Sequence, residues 1–294
     1  ACFADTPLVP CRECGHVPQE RSALALPLLT PLPGPGQVRY HLGRVLGQPG
    51  GFGITYLAWD EKHQMRVAIK EYCPRQVVGR STTDRCTLTP HSPEDGEAFQ
   101  KGLKAFLREA RLLADCPHPH IVRLRDFFKA NGTAYLVMNY YPGHTLAEEV
   151  QRRGRLPWPE AVGWLCPILA ALHAMHQHGL LHRDVKPANI YRTEAGTPLL
   201  LDFGGARQAV GAYSRSLTVV LTPGYAAPEQ YSSTGEQKAW TDVYGAAATL
   251  YYGLTGEAPP DAPDRSSHDE LRPLRRVHPP LDPAVPRALA AAVA

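Results

Sequence analysis
The sequence predicts an α+β fold in two lobes, a small antiparallel β lobe carrying one helix and then a larger, mainly helical lobe. Strand-length runs rich in β-branched and aromatic residues are confined to the first half, whereas helical periodicity takes over after Pro142-Gly143. The 294 residues suit one large domain or two small lobes sharing a cleft. Of 29 prolines, 7 lie in residues 1–36 and 8 in residues 257–294, so the compact part is the middle. We therefore expect a cysteine-containing tail with a Pro/Gly-rich linker over residues 1–37, a β lobe over 38–138 and a helical lobe over 139–294.

In chain order, Arg44-Val45-Leu46, Ile54 to Ala58 and Arg66 to Lys70 read as strands of one antiparallel sheet. Ser92-Pro93-Glu94-Asp95 supplies an N-cap, a proline at the first helical position and an acid three residues after the cap. Phe99, Leu103, Phe106, Ala110 and Leu113 then recur at spacings of four and three, the apolar stripe of a helix facing a core. Ile121–Phe128 and Thr133–Tyr140 flank Asn131-Gly132, a strong hairpin signal. Beyond the connector at Asn139 to Gly143, Pro159 opens a helix with Val162, Leu165, Leu169, Leu172 and His176 as its stripe and Gly179 as its stop. A further helix is expected near Thr241 to Leu254. Leu289 to Ala294 reads as the middle of an apolar helix, and the opening Ala1-Cys2-Phe3-Ala4 reads as a fragment start.

Composition narrows the function classes. Hydrophobic residues are 44% and charged residues 20%, an ordinary globular balance that excludes a disordered chain. No apolar run approaches the roughly 18 residues of a membrane span. A net charge of +3 gives no broad basic face for nucleic acid, so no nucleic-acid partner is expected. Seven scattered cysteines, an odd number, do not form the framework of a small secreted domain, which points to a reducing cytoplasm.

Chemistry concentrates in a few segments. Gly47, Gly50, Gly51 and Gly53 lie between two strands, where missing side chains let backbone amides approach phosphate oxygens; a plain glycine-rich turn is the equal alternative. Lys70, on the third strand in Val67-Ala68-Ile69-Lys70, can aim its ammonium at phosphates beneath that loop, with Glu109 as the carboxylate to hold it. The sharpest segment is His182-Arg183-Asp184-Val185-Lys186-Pro187-Ala188-Asn189, followed by Leu199-Leu200-Leu201-Asp202-Phe203-Gly204. An acid five residues before an amide, then an acid ending an apolar strand, provides a base for a hydroxyl proton and two oxygen ligands, Asn189 and Asp202, for Mg²⁺. Thr222-Pro223-Gly224-Tyr225-Ala226-Ala227-Pro228-Glu229 and Asp242-Val243-Tyr244-Gly245 follow.

With these segments in this order, residues 38–294 resemble the eukaryotic-type (Hanks-type) Ser/Thr protein kinases, most closely the bacterial ones. The resemblance implies a bilobal kinase fold and transfer of the γ-phosphoryl group of ATP to protein Ser/Thr hydroxyls. It implies that the glycine loop with Phe52 lids ATP, that Ala68 and Met138 border the adenine, and that the backbone of Asn139 to Tyr141 hydrogen-bonds its edge. Lys70 would contact the α- and β-phosphates and pair with Glu109, Asp184 would accept the hydroxyl proton, and Lys186 would steady the γ-phosphate beside Thr222. Ser214, Ser216 and Thr218 are candidate phosphosites that Arg183 could engage, or plain loop hydroxyls. Self-association for autophosphorylation, and a parent anchored in a membrane with this domain on the cytoplasmic side, are further implications.

Three features depart from the family pattern or lie outside it. Gln48-Pro49 puts two residues between Gly47 and Gly50 where one is usual. The family's last helix, whose arginine pairs with the carboxylate held here by Glu229, has no match, so that carboxylate is expected to lack its partner. Cys11-Arg12-Glu13-Cys14 resembles half of a zinc ribbon, and the alternative is a free tail. Cys73, Cys86, Cys116 and Cys166 read as ordinary buried or surface residues, and His173, His176 and His178 as structural. The rival to an active enzyme is a kinase-fold scaffold that holds nucleotide without useful turnover.

Overall fold
The computed structural model describes residues 24–47, 51–202, 221–232, 234–274 and 292. They fall into two compact units: one comprises the described residues up to Asp115 together with Arg123–Tyr140, the other Cys116–Val122 and the described residues from Tyr141 onward, apart from the short stretches left undescribed.

The first unit is built on a six-stranded antiparallel sheet. Its strands are β1 (Pro31–Pro33), β2 (Arg39–Val45), β3 (Gly53–Asp60), β4 (Met65–Tyr72), β7 (Leu124–Ala130) and β8 (Thr133–Asn139), in the order β1-β2-β3-β4-β8-β7. A separate hairpin of β5 (Val78–Arg80) and β6 (Leu88–Pro90) leads into helix α1 (Pro93–Ala114). The expected cap is present, with Ser92 Oγ accepting from the Asp95 N–H at 3.1 Å and Pro93 at the first helical position. The expected stripe of Phe99, Leu103, Phe106, Ala110 and Leu113 is buried. Tyr72 of β4 packs between Phe99 and Phe106 with ring centroids 5.3 and 5.4 Å away. Each such fully buried side chain contributes about 1.5–3 kcal/mol. Asn131 and Gly132 take φ of 50° and 71°, the two left-handed residues that a two-residue hairpin turn requires, and they join β7 to β8.

Two features of this unit differ from the sequence reading. The sheet begins inside the stretch read as linker: β1 pairs with β2, and Leu32 is fully buried. Prolines at 31 and 33 flank it, and β1 tolerates them because it is an edge strand that pairs on one side only. The β5–β6 hairpin carries no alternating hydrophobic pattern in its three-residue strands and was not expected.

From Tyr141 the second unit continues with β9 (Gly143–Thr145) and α2 (Leu146–Arg153), the latter started by a Thr145–Glu148 capping box. Helix α3 (Trp158–Gln177) packs against α4 (Ala239–Thr255), and α5 (Ala262–Ser267) follows. A three-stranded antiparallel sheet orders β11 (Pro198–Leu200), β10 (Ile190–Thr193) and β9. The buried face of α3 runs through Ala161, Trp164, Leu165, Ile168, Ala171, Leu172 and Met175, about one residue round from the expected stripe, and Leu169 is 42% exposed. The helix is apolar on most sides, so several four-and-three registers fit its sequence equally well. Among the described residues, no helix is long and apolar enough to cross a membrane.

Candidate active site
The second unit assembles the segment from His182 to Asn189 around one buried carboxylate on helix α4. Asp242, 1% exposed, accepts from the backbone N–H groups of His182 at 2.9 Å and Arg183 at 2.7 Å, and its Oδ2 bonds His176 Nε2 at 2.7 Å. From the other side, the Gln230 side-chain amide donates to the Arg183 carbonyl at 2.9 Å and accepts from the Ala227 N–H at 2.9 Å. Arg183 is thereby held at φ 64°, a left-handed conformation that costs a non-glycine residue of the order of 1–3 kcal/mol. Helix α4 comes close enough that a Cβ on Gly245 would lie 2.7 Å from the Val185 carbonyl oxygen.

His182 is fully buried and works through both ring nitrogens. Nδ1 accepts from the Asp184 N–H at 3.3 Å, so Nε2 carries the proton and donates to the Leu201 carbonyl at 2.8 Å. Burial holds its pKa below the usual histidine value, outweighing the nearby carboxylates of Asp242, Asp184 and Asp202, and the ring stays neutral. One side chain thus ties the loop bearing Asp184 to the strand end before Asp202.

Asp184 lies at the centre of a closed hydrogen-bond set. Oδ1 accepts the Thr222 hydroxyl at 3.0 Å; Oδ2 accepts Asn189 Nδ2 at 2.9 Å and lies 3.0 Å from Lys186 Nζ. Lys186 also donates to the Thr222 hydroxyl at 2.9 Å, and Asn189 Nδ2 donates to the Asp184 carbonyl at 2.7 Å. The Leu201 N–H donates to the Asn189 carbonyl at 2.8 Å, linking the chain at Asn189 to the residue before Asp202. Asp202 has φ 49°, in the left-handed region like Arg183. Because both hydrogens of the Asn189 amide face Asp184, its Oδ1 is the atom turned elsewhere. An amide oxygen and a carboxylate are the hard oxygen donors that Mg²⁺ prefers, so this pair fits that ion. Among the described residues there is no cluster of three or more His, Cys, Asp or Glu able to hold a metal.

In the first unit, Lys70 of β4 sits opposite Thr55 on β3 and Leu136 on β8. A Cβ on Gly53 would lie 2.7 Å from the Glu71 carbonyl oxygen and 3.4 Å from Lys70 Cε, so the bare glycine is what lets the loop's end lie against the lysine strand. The loop is held further by the Cys73 N–H donating to the Phe52 carbonyl and the Arg75 N–H to the Gly51 carbonyl, both at 3.0 Å. Gly47 takes φ 63°. Glu109 is buried on the inner face of α1 among Phe106, Ala110 and Leu113. Ala68 and Met138 face each other across β4 and β8, both buried. The Asn139 N–H is engaged by the Arg123 carbonyl at 3.0 Å and the Tyr141 carbonyl by the Tyr191 hydroxyl at 3.0 Å.

The protein kinase domain family matches residues 40–286. The chain belongs to the protein kinase family. It is 35% identical over 211 residues to the serine/threonine-protein kinase PknK of Mycobacterium tuberculosis, 71% of this chain and 17% of that one. It is 34% identical over 261 residues to PknH of Mycobacterium bovis, 87% of this chain and 40% of that one. The chain therefore spans well under half the length of these relatives. Among solved structures, the apo form of PpkA-294 superposes with a TM-score of 0.76 at 36% identity, covering 92% of this chain and 93% of that one. The M. tuberculosis PknI kinase domain gives 0.66 at 27% identity, covering 92% and 91%. These relatives place the kinase domain among the bacterial, Hanks-type Ser/Thr kinases, a family that uses ATP and Mg²⁺.

Several expected site residues fall outside the described residues: Gly50, the candidate phosphosites Ser214, Ser216 and Thr218, and Cys11 and Cys14. Glu229, expected to lack its arginine, accepts the Thr241 hydroxyl. His176 is structural as expected, through its bond to Asp242. The sequence reading missed the roles of Asp242 and Gln230. An acid in the first turn of an otherwise apolar helix was the available signal for Asp242; Gln230, a lone amide after a proline, offered none.

Proposed function
We propose that this domain transfers the γ-phosphoryl group of ATP to Ser or Thr hydroxyls of protein substrates. The observation carrying this reading is the hydrogen-bond set around Asp184, whose Oδ1 already receives a threonine hydroxyl while a lysine ammonium lies beside both. That is the arrangement a substrate hydroxyl needs: Asp184 orients it and takes its proton as the oxygen–phosphorus bond forms and the bond to ADP breaks. Lys186 supplies positive charge where the transferred group gathers negative charge. Lys70, held in place by Glu109, serves the α- and β-phosphates, the glycine loop with Phe52 covers them, and Ala68 and Met138 border the adenine. Asn189 and Asp202 would hold Mg²⁺, which neutralises phosphate charge when bound.

Each group the chemistry needs is present, which speaks against a scaffold without turnover. Arg183 Nε is buried with no hydrogen-bond partner among the described residues. That supports engagement of a phosphate on Ser214, Ser216 or Thr218, and with it self-association for autophosphorylation. A cytoplasmic setting suits the free cysteines among the described residues, Cys73, Cys86, Cys116 and Cys166. Zinc at Cys11 and Cys14 is a separate proposal, which native mass spectrometry of metal-replete protein decides by the added mass of one zinc ion. Incubation with γ-labelled ATP, Mg²⁺ and a basic Ser/Thr protein tests the main reading. Acid-stable label on Ser or Thr, absent in Lys70→Met, is expected; equal labelling in that variant would refute the assignment of Lys70.

A further inference from the structure
Behind Lys70 lies a buried charge network that phosphoryl transfer does not require. Glu71 is fully buried and Arg80, from the β5–β6 hairpin, has a side chain only 6% exposed. Arg80 Nη1 and Nη2 donate to Glu71 Oε1 and Oε2 at 3.0 and 2.7 Å. The Tyr56 hydroxyl on β3 donates to Oε2 and the Tyr135 hydroxyl on β8 to Oε1, both at 2.9 Å. Burial, reinforced by the Glu71 charge, pushes both tyrosines far above their usual pKa, so both remain donors. The network continues into residues that precede the family match: Arg80 Nε donates to the Leu24 carbonyl at 3.0 Å, and the Leu26 N–H donates to the Tyr56 hydroxyl at 3.0 Å. Arg80 Nη1 also reaches the Cys86 carbonyl at 2.6 Å, and Asn131 Nδ2 donates to the Tyr135 hydroxyl at 3.0 Å.

Successive strand residues point to opposite faces, so a slip of one residue in β4 would exchange Lys70 for Glu71. Hydrophobic patterning resists this weakly, because Val67, Ala68 and Ile69 are buried in a row and any of them suits either face. The Glu71 network resists it strongly. Its hydroxyl donors sit on both neighbouring strands, Tyr135 directly opposite Glu71 and Tyr56 two residues along from its partner Ile54. A slip would leave a buried carboxylate facing none of them, and fixing register is the best-attested use of a buried ion pair.

We propose that Arg80 is a positioning residue for Lys70, fixing the register of β4 through Glu71, and that the segment Leu24–Leu26 is part of the same clamp. The kinase lobe then extends upstream of its family boundary to Leu24, which is linked through Arg80 and Glu71 to the strand bearing the phosphate-binding lysine.

This inference rests on the assignment of Lys70 to the ATP phosphates, and the test separates the two. Binding of MgATP and of adenosine is measured by calorimetry on the full chain and on Lys70→Met, Arg80→Gln, Arg80→Lys and Tyr56→Phe. Adenosine lacks the phosphates, so loss of fold weakens both ligands, whereas displacement of Lys70 weakens only MgATP. Arg80→Gln is expected to weaken MgATP about tenfold with adenosine within about twofold, and Arg80→Lys to lie between it and the parent chain. Unchanged MgATP affinity in folded Arg80→Gln, or parallel loss of both ligands, overturns the proposal. If Arg80→Gln does not fold, Tyr56→Phe decides: selective weakening of MgATP by about threefold supports the clamp, and any other result overturns it. Unchanged MgATP affinity in Lys70→Met would instead overturn the lysine assignment.

Discussion
Replacing Asp242 by Asn tests how the catalytic loop is held. The carboxylate accepts three hydrogen bonds in a site that is 1% exposed. An amide oxygen can keep the Arg183 N–H, but the NH₂ group then faces the His182 N–H and the His176 ring. His176 can change tautomer and accept; the backbone N–H of His182 cannot. One buried donor left unmatched costs about 1–3 kcal/mol, and each lost bond to a charged acceptor about 1.5–3 kcal/mol, so a destabilisation of about 3–5 kcal/mol is expected. At about 2–4 °C per kcal/mol for a domain this size, Tm should fall by about 6–20 °C. Freed from its anchor, Arg183 can leave its left-handed conformation and shift Asp184, and a displacement of about 1 Å costs on the order of 100-fold in kcat. Calorimetry and steady-state phosphotransfer below the new Tm measure both effects. His176→Ala, which keeps both backbone bonds, should lose only the one bond to the carboxylate, about 1.5–3 kcal/mol. A kcat within twofold of the parent and an unchanged Tm in Asp242→Asn would refute the reasoning.

Other substitutions probe separate parts of the account. Asn189→Asp replaces the two donated hydrogen bonds to Asp184 with a second carboxylate in contact with it; phosphotransfer should fall on the order of 100-fold, checked by initial rates at saturating ATP. Gly53→Ala places a methyl 2.7 Å from the Glu71 carbonyl, which belongs to a strand and cannot swing away. It should cost about 1–3 kcal/mol of stability and raise the KM for ATP. His182 has a folded pKa below its unfolded value, so the unfolded chain binds more protons at mildly acid pH. Its contribution is fully present above the unfolded pKa of about 6.5 and is lost as pH falls below it, down to the folded pKa. Denaturant titrations between pH 8 and pH 5 should show this acid-side loss, reduced in His182→Asn.

Much of the fold was legible because its signals are local. Ser92-Pro93 and Asn131-Gly132 specify a helix start and a hairpin through nearest-neighbour stereochemistry, and the α1 stripe alternates sharply with polar residues. The α3 face was read about one residue out because Val162, Leu165, Leu169 and Leu172 compete with Trp164, Ile168 and Met175 on an almost wholly apolar helix. At the site, Asp184, Lys186, Asn189 and Asp202 sit within a short stretch at fixed spacing, and the structure brings Asp184, Lys186 and Asn189 together with Thr222. The supports were hidden because they act over long sequence separations. Asp242 reaches back about 60 residues to His182 and Arg183, and Leu24 meets Arg80 across 56. Nothing near Leu24 signals a partner, because the contact uses its backbone carbonyl rather than its side chain.

The central claim is that Asp184 serves the transfer step while Asp202 serves the bound nucleotide and its metal. It is tested most directly by measuring label transfer and Mg²⁺-dependent ATP affinity on the same preparations of the parent chain, Asp184→Ala and Asp202→Ala. The account predicts that Asp184→Ala loses transfer but keeps its affinity, and that Asp202→Ala loses both. Transfer at the parent rate by Asp184→Ala, or unchanged Mg²⁺-dependent affinity in Asp202→Ala, would contradict it.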